Sequence, residues 1–360
     1  MGFESLRFVN FRNLKDRELP LGAREVFLVG ENGQGKTNLL ETVHLLCLGS
    51  SFREKRESAL MRDPSAAAAV HGCYDNEGDI GRTTLSILIS PGRKKEIRVN
   101  DKLLAERRDL LSEVLCVCFV QQDMEFVTGP PEERRRFFDQ TLVLSDLSFL
   151  DSLRGYRQVL KSRNLCLKTN RDDLLDVYDA QLAAMGLALQ SHRVALVREF
   201  GQVFSPLFSE IMGTEENVKI HYRPSWDGLT SIEDVAAHLA VTRERDRLLG
   251  TTTSGPHRDA CTYTMAGKDY VHYASTGQLR LCALALRMAQ ARFLAARTGR
   301  KPVLLLDDVL LELDPVRKKA FIARFPVYDQ VFFTFLPDEG WQAYRTDDTL
   351  VLHVAGGGFT

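Results

Sequence analysis

The sequence has no CxxC pair, no long apolar run and no surplus of charge of either sign, and each absence removes a class of function. Seven cysteines (Cys47, Cys73, Cys116, Cys118, Cys166, Cys261 and Cys282) are an odd number for a disulfide framework. Several stand inside apolar runs and read as small buried hydrophobes. The apolar run Val114–Val120 is seven residues, against the roughly 20 that a membrane-spanning helix needs. The first residues carry Glu4, Arg7 and Arg12 and no apolar core segment, unlike a secretory signal. These features point to a reducing cytoplasm and to no membrane partner. Lys plus Arg number 47 and Asp plus Glu 48, a formal net charge of −1. A globally basic coat for nucleic acid is thereby excluded, and any DNA binding must use a local patch. Disorder is excluded as well, because 44% of the residues are hydrophobic and 26% charged, the balance of a globular protein.

What is present is organised in three stretches. The 360 residues suggest roughly two domains. The first third reads as strands and loops. Glu25–Val29 is a short apolar run ending in glycine, and Thr84–Ile89 and Glu96–Val99 flank a Ser90-Pro91-Gly92-Arg93 turn. From Glu132 to Leu249 spacings of three and four dominate, as in Leu153, Tyr156, Leu160 and Leu167, which predicts a helical domain of about 110 residues. The last third returns to mixed structure, with an apolar helix over Leu279–Ala296 and strands at Val303–Leu306 and Gln330–Phe335. The expected division is an N-terminal part of a nucleotide-binding lobe over 1–130, a helical lobe over 131–245, and the rest of the first lobe over 246–360.

Gly30-Glu31-Asn32-Gly33-Gln34-Gly35-Lys36-Thr37 fits G-x-x-x-x-G-K-[ST] at every fixed position, with a strand before it and a helical pattern from Asn38 after it. Glycines let backbone N–H groups wrap around phosphate oxygens, and the helix start adds unpaired donors and a favourable dipole. Lys36 would reach the β- and γ-phosphates of ATP, and the Thr37 hydroxyl would ligate Mg²⁺. The apolar strand Val303–Leu306 ends in Asp307 and Asp308. This Walker B pattern assigns Asp307 to Mg²⁺ and Asp308 to polarising the attacking water. Asp307 lies 271 positions after Lys36, so a large insertion splits the nucleotide site, as in ABC-type ATPase heads. Ser275-Thr276-Gly277-Gln278 opens the apolar helix in the manner of the ABC signature. A Ser hydroxyl, a Gly N–H and a helix start form an anion site there, facing the γ-phosphate held by a second copy; a simple helix cap is the alternative.

With these motifs in order, the chain resembles the RecF family of bacterial DNA replication and repair proteins, which are related to SMC-type ATPase heads. Further segments carry the resemblance: Phe11-Arg12-Asn13-Leu14, Glu133-Arg134-Arg135-Arg136-Phe137-Phe138-Asp139, Tyr156 to Asn164 (YRQVLKSRN), Gly255-Pro256-His257-Arg258-Asp259, and Leu304 to Asp314 (LLLDDVLLELD). The chain departs from the family pattern at Gln121-Gln122-Asp123, at Leu279, at Leu311 before Glu312-Leu313-Asp314, and at Thr334-Phe335-Leu336. Gln122 stands where other ABC ATPases have a glutamine that contacts Mg²⁺ or water. The resemblance implies an α/β ATPase head of mixed sheet and helices with an inserted, mainly helical second domain. It implies ATP and Mg²⁺ as cofactors, an ATP-dependent homodimer and slow, DNA-stimulated hydrolysis. It also implies double-stranded and gapped DNA as partners, with mediators of the RecR and RecO type that help load a RecA-type recombinase.

Residues 153–171 hold Arg154, Arg157, Lys161, Arg163, Lys168 and Arg171 and no acids. Arg154, Arg157, Lys161 and Lys168 share one helical face that would track phosphates, or would simply be solvated. Arg93, Lys94 and Lys95 form a smaller basic group. Arg134, Arg135 and Arg136 point different ways on a helix and are expected to make internal or interface contacts. His257 and Arg258 would contact nucleotide, DNA or partner, or sit in a rigid turn with a satisfied histidine. Arg12 and Asn38 complete the expected nucleotide contacts. Two other functions fit an ATPase head, a structural SMC-type tether and a transporter ATPase subunit. The first needs arms of hundreds of residues, and the second a histidine near the place of Thr334.

Overall fold

The computed structural model describes residues 1–76, 81–311 and 313–360. The chain forms two compact units, residues 1–121 with 298–360, and residues 122–297. The segment 246–297, which the sequence reading grouped with the C-terminal part, joins the helices before it. The reason is pairing: strand Val218–Arg223 runs antiparallel to Ala260–Met265 along its whole length.

The first unit holds two six-stranded sheets. In one, Glu25–Val29, Gln330–Phe335, Val303–Leu306 and Cys116–Phe119 are parallel neighbours. Their residues are buried almost without exception, as central parallel strands covered on both faces require. The other sheet is antiparallel, and strands such as Ala68–Asp75 alternate between buried and half-buried positions, the pattern of a sheet with one face on the core. Helix Lys36–Leu48 is buried around nearly its whole circumference, as expected for a helix inside a core. One apolar cluster unites its Leu39, Leu40 and Val43 with Val26, Leu305 and Phe332 of the parallel sheet and Leu6, Val70 and Leu85 of the antiparallel one.

The second unit is mainly helical, with long helices Pro131–Ser145, Ser148–Thr169, Leu175–Met212 and Thr276–Thr298 and a three-stranded sheet. Edge-to-face and tilted contacts link Phe126, Phe137, Phe138, Phe200 and Phe293, an arrangement the ring quadrupoles favour. Two arginines organise the rest. Arg163, fully buried, bonds Asp179 at 2.6 Å, Asp246 at 2.7 Å and the Thr252 hydroxyl at 2.8 Å. Arg193 takes both oxygens of Asp139, at 2.8 and 3.0 Å, and also bonds Asp259 and the Pro256 carbonyl.

Of the two basic residues in 153–171 outside the predicted basic face, Arg163 is thus buried in ion pairs and Arg171 pairs with Asp173. Truncating Arg163 would leave the buried Asp246 without its cationic partner, while Asp179 keeps Arg243; breaking a buried pair in this way typically costs about 3–5 kcal/mol. Arg163→Ala is expected to lower the urea midpoint of the second unit accordingly, read by the fluorescence of the buried Trp226.

Candidate nucleotide site

The strand Glu25–Val29 delivers the loop Gly30–Gly35 to the start of helix Lys36–Leu48. Gly30 is fixed by a close approach: a Cβ there would lie 2.4 Å from the Val354 carbonyl oxygen. Gly35 sits at φ 119°, a left-handed conformation that glycine adopts without strain. Lys36 is buried, and its Nζ donates back across the loop to the Gly30 and Glu31 carbonyls at 2.6 and 3.1 Å. Glu31, Asn32 and Gly33 are exposed along the loop's outer turn. The Gln34 side-chain oxygen accepts from the Gly356 N–H at 2.7 Å.

The two distant halves of the sequence meet here. The Thr37 hydroxyl donates to Asp307 Oδ1 at 2.8 Å, because Val303–Leu306 lies one strand away from Glu25–Val29 across Gln330–Phe335. Burial raises the Asp307 carboxyl to about 6, against the Thr37 hydrogen bond, with the Asp308 charge adding to the rise. A carboxylate disfavoured in that way gains from a cation. Among the described residues no group of three or more His, Cys, Asp or Glu is assembled for a metal. The Thr37 hydroxyl and the Asp307 carboxylate, side by side, are oxygen donors that fit a hard divalent ion completing its shell with phosphate and water oxygens, the habit of Mg²⁺.

Asp308 adopts φ 53°, unusual for a non-glycine residue. Thr334 holds it there: its hydroxyl accepts from the Asp308 N–H at 2.7 Å and donates to Asp308 Oδ1 at 2.8 Å. The register Leu306↔Phe333 brings Thr334 alongside. Thr334 thus stands at the end of the neighbouring core strand in direct contact with the second carboxylate.

Arg12 takes a different place from the expected one. Its guanidinium clasps both oxygens of the buried Glu41 at 2.9 Å and bonds the Ala59 carbonyl. Burial opposes the Glu41 charge, but hydrogen bonds from Arg12, Arg53 and Ser51 outweigh it and hold the carboxyl below its ordinary range. Arg12, Asn13, Asn38 and Arg53 line an open depression of about 710 Å³. Glu41 and Arg53 were not singled out in the sequence, and Asn13 only as part of the Phe11–Leu14 segment, since their relation to the loop exists only through the fold.

In the second unit Ser275 and Gln278 form a reciprocal cap: Ser275 Oγ accepts from the Gln278 N–H at 3.3 Å, and Gln278 Oε1 accepts from the Ser275 N–H at 2.8 Å. Both are exposed, and a Cβ on Gly277 would meet open space. The helix start is thus capped and turned outward. Gln122 is exposed, beside a buried Asp123 bonded to Arg287 at 2.6 Å. Arg154, Arg157, Lys161 and Lys168 are exposed, with Arg154 3.8 Å from Asp151. Lys95 pairs with Glu57.

Arg134 bonds the Gly129 and Cys261 carbonyls, Arg135 the Asp259 carbonyl, and Arg136 pairs with Glu133, the internal contacts expected of that run. His257 is satisfied at both nitrogens, by the Tyr156 hydroxyl at 2.8 Å and the Thr252 carbonyl at 3.0 Å. Of the segment Leu304 to Asp314, Glu312 lies outside the described residues, and Asp314 caps helix Pro315–Ile322.

A phosphate loop, a carboxylate-tipped strand beside it and a signature-type helix start in an inserted helical unit define an ABC-type ATPase head. The family model described as the RecF/RecN/SMC N terminal domain matches residues 3–339. The DNA replication and repair protein RecF of Treponema pallidum (strain Nichols) is 40% identical over 349 residues, 97% of this chain and 98% of that one. The RecF of Leptospira interrogans serovar Lai is 30% identical over 96% of this chain and 94% of its own. A solved structure of the recombination mediator protein RecF with ATP, in the RecFOR pathway, has a TM-score of 0.88 at 29% identity and covers 100% of this chain and 97% of that one. An Smc head bound to a winged-helix domain of ScpA shares the fold at a TM-score of 0.58 and 15% identity, covering 100% of this chain and 96% of that one. The chain belongs to the RecF/RecN/SMC family, and within it to the RecF proteins of DNA replication and repair.

Two predictions follow the geometry. Thr334→Val removes both bonds to Asp308 and is expected to cut ATP hydrolysis at saturating nucleotide about tenfold, the equivalent of one hydrogen bond, with Thr334→Ser restoring most of it. Burial lowers the His257 imidazole from 6.5 to about 4, so the unfolded chain takes up this proton first. Stability from this residue is complete above pH 6.5 and lost as the pH falls toward 4, by about 2 kcal/mol at pH 5. Urea unfolding at pH 7.5 and pH 5 should show that loss, and His257→Gln should reduce it.

Proposed function

We propose that the chain is an ATP-switched DNA clamp of recombinational repair, acting at single-strand gaps and stalled forks alongside mediators of the RecO and RecR type. The observation that carries this reading is the direct contact of Thr37 with Asp307, with Asp308 set beside it by Thr334. That contact assembles a hydrolytic nucleotide site from both ends of the chain. The likeness to a recombination mediator solved with ATP supports the same reading.

The loop residues Gly30 to Thr37, with Asn38 following, cradle the triphosphate through backbone N–H groups and the helix start. Lys36, already aimed across the loop, exchanges its carbonyl partners for β- and γ-phosphate oxygens. Mg²⁺, when bound, neutralises charge developing on the phosphates. Thr37 and Asp307 would hold it. Asp308 orients and polarises the water.

One copy cannot finish this site. Ser275, Gly277 and Gln278 of a second copy supply donors to the γ-phosphate, so ATP favours a homodimer by population shift. Hydrolysis is slow, is stimulated by DNA and acts as the release timer. The exposed face of Arg154, Arg157, Lys161 and Lys168 follows the phosphates of double-stranded or gapped DNA. A cytoplasmic location goes with this reading, as for a protein that acts on DNA; among the described residues no helix is long and apolar enough to cross a membrane.

Light scattering of Asp308→Asn, which slows hydrolysis, tests the switch. The expected result is a dimer that forms only with ATP and Mg²⁺, stays on a gapped duplex and is abolished by Ser275→Arg. A monomer under every condition overturns the clamp.

A further inference from the structure

The phosphate loop is held from outside by two segments that lie beyond the loop and its helix. On one side, the Asn13 amide donates to the Gly33 carbonyl at 3.1 Å, and its oxygen accepts from Asn38 at 2.5 Å. On the other side lies the hairpin of Thr349–Ala355 and Gly358–Phe359, joined through Gly356 and Gly357. Both turn residues have positive φ, 51° and 73°, the conformation of a two-residue type I′ hairpin.

The turn faces Gln34. Gly356 N–H donates to Gln34 Oε1 at 2.7 Å, and Gly357 N–H donates to the Gln34 carbonyl at 2.9 Å. The Gly357 carbonyl in turn accepts from the Lys15 N–H at 2.8 Å, which closes the ring back to the Asn13 side. The fit is tight: a Cβ on Gly357 would fall 1.9 Å from the Asn13 carbonyl oxygen, and one on Gly30 would strike Val354 of the same hairpin. A loop with three glycines would otherwise sample many conformations, and ordering it would be charged against ATP binding.

We infer that Gln34 and the Gly356–Gly357 turn are positioning elements that hold the phosphate loop in its binding form before the nucleotide arrives, so that the C-terminal hairpin sets ATP affinity. This rests on the nucleotide-site reading above. Gln34 is then a clamp residue facing away from the phosphates, unlike Lys36 and Thr37.

The test uses the full chain, a ribose-labelled fluorescent ATP with Mg²⁺, and hydrogen exchange of the nucleotide-free protein. Gln34→Ala removes one of the two bonds from the turn. The expected result is an ATP Kd raised about three- to tenfold, the range of one hydrogen bond. Exchange should be faster in the peptide spanning residues 30–36, and the nucleotide-free melting temperature unchanged. Gly357→Ala, which displaces the turn itself, should give a larger rise in Kd with the same localised exchange. An unchanged Kd in both variants overturns the clamp. So does a Kd that rises only with a fall in melting temperature and exchange spread over the whole unit, since that is what a merely structural role would give. A wild-type chain that fails to bind ATP overturns the clamp and the nucleotide-site reading together, which separates that failure from the others.

Discussion

The burial of helix Lys36–Leu48 between two sheets is the constraint on which the first unit depends. Its body has no free side: Leu39, Leu40, Val43, Leu45 and Leu46 all reach full burial. A helix so enclosed cannot rotate or slide without opening cavities, because interiors are packed at crystal-like density. Its first residues, Lys36 and Thr37, are therefore placed as rigidly as the core itself. The carboxylate buried within it, Glu41, is compensated by two arginines, and this pairing ties the segments carrying Arg12 and Arg53 to the helix that follows the phosphate loop.

The same core decides the chemistry. Parallel strands end at a common level, so the strand before the phosphate loop and the strand before Asp307 present their tips together. The strand between them contributes Thr334. The strained backbone at Asp308 persists because Thr334 answers both its N–H and its carboxylate. Strain of this kind is retained where the surroundings over-determine it. The second carboxylate is thus aimed by a hydroxyl from a neighbouring strand.

The helical unit uses its charge differently from what a count of basic residues suggests. Arg163 and Arg193 are sequestered with Asp179, Asp246, Asp139 and Asp259. Removing one partner from such an arrangement is costly, because the charge left behind has no water. These arginines consume the most distinctive motifs of the middle of the chain, the segment ending in Asp139 and the turn ending in Asp259. Both act as staples inside the unit, while Arg154, Arg157, Lys161 and Lys168 remain on the surface.

The strands Glu25–Val29, Val303–Leu306 and Gln330–Phe335 were legible by themselves, since a continuous apolar run bounded by glycine or acid leaves few other structures. The phosphate loop and the tip at Asp307 were legible for a chemical reason: few residue types can wrap phosphate or hold a hard cation. Local pattern could not fix what depends on neighbours far along the chain. The partner of Arg12, the burial of Arg163, the role of Gln34 and the hairpin at Gly356 each arise from contacts between segments tens to hundreds of residues apart. The sequence determined which chemistry this protein carries, because that chemistry is local to its motifs. Only the tertiary structure decided which side chains meet at the phosphate loop and which are drawn into buried ion pairs, because charge and hydrogen-bonding capacity go wherever burial leaves a partner.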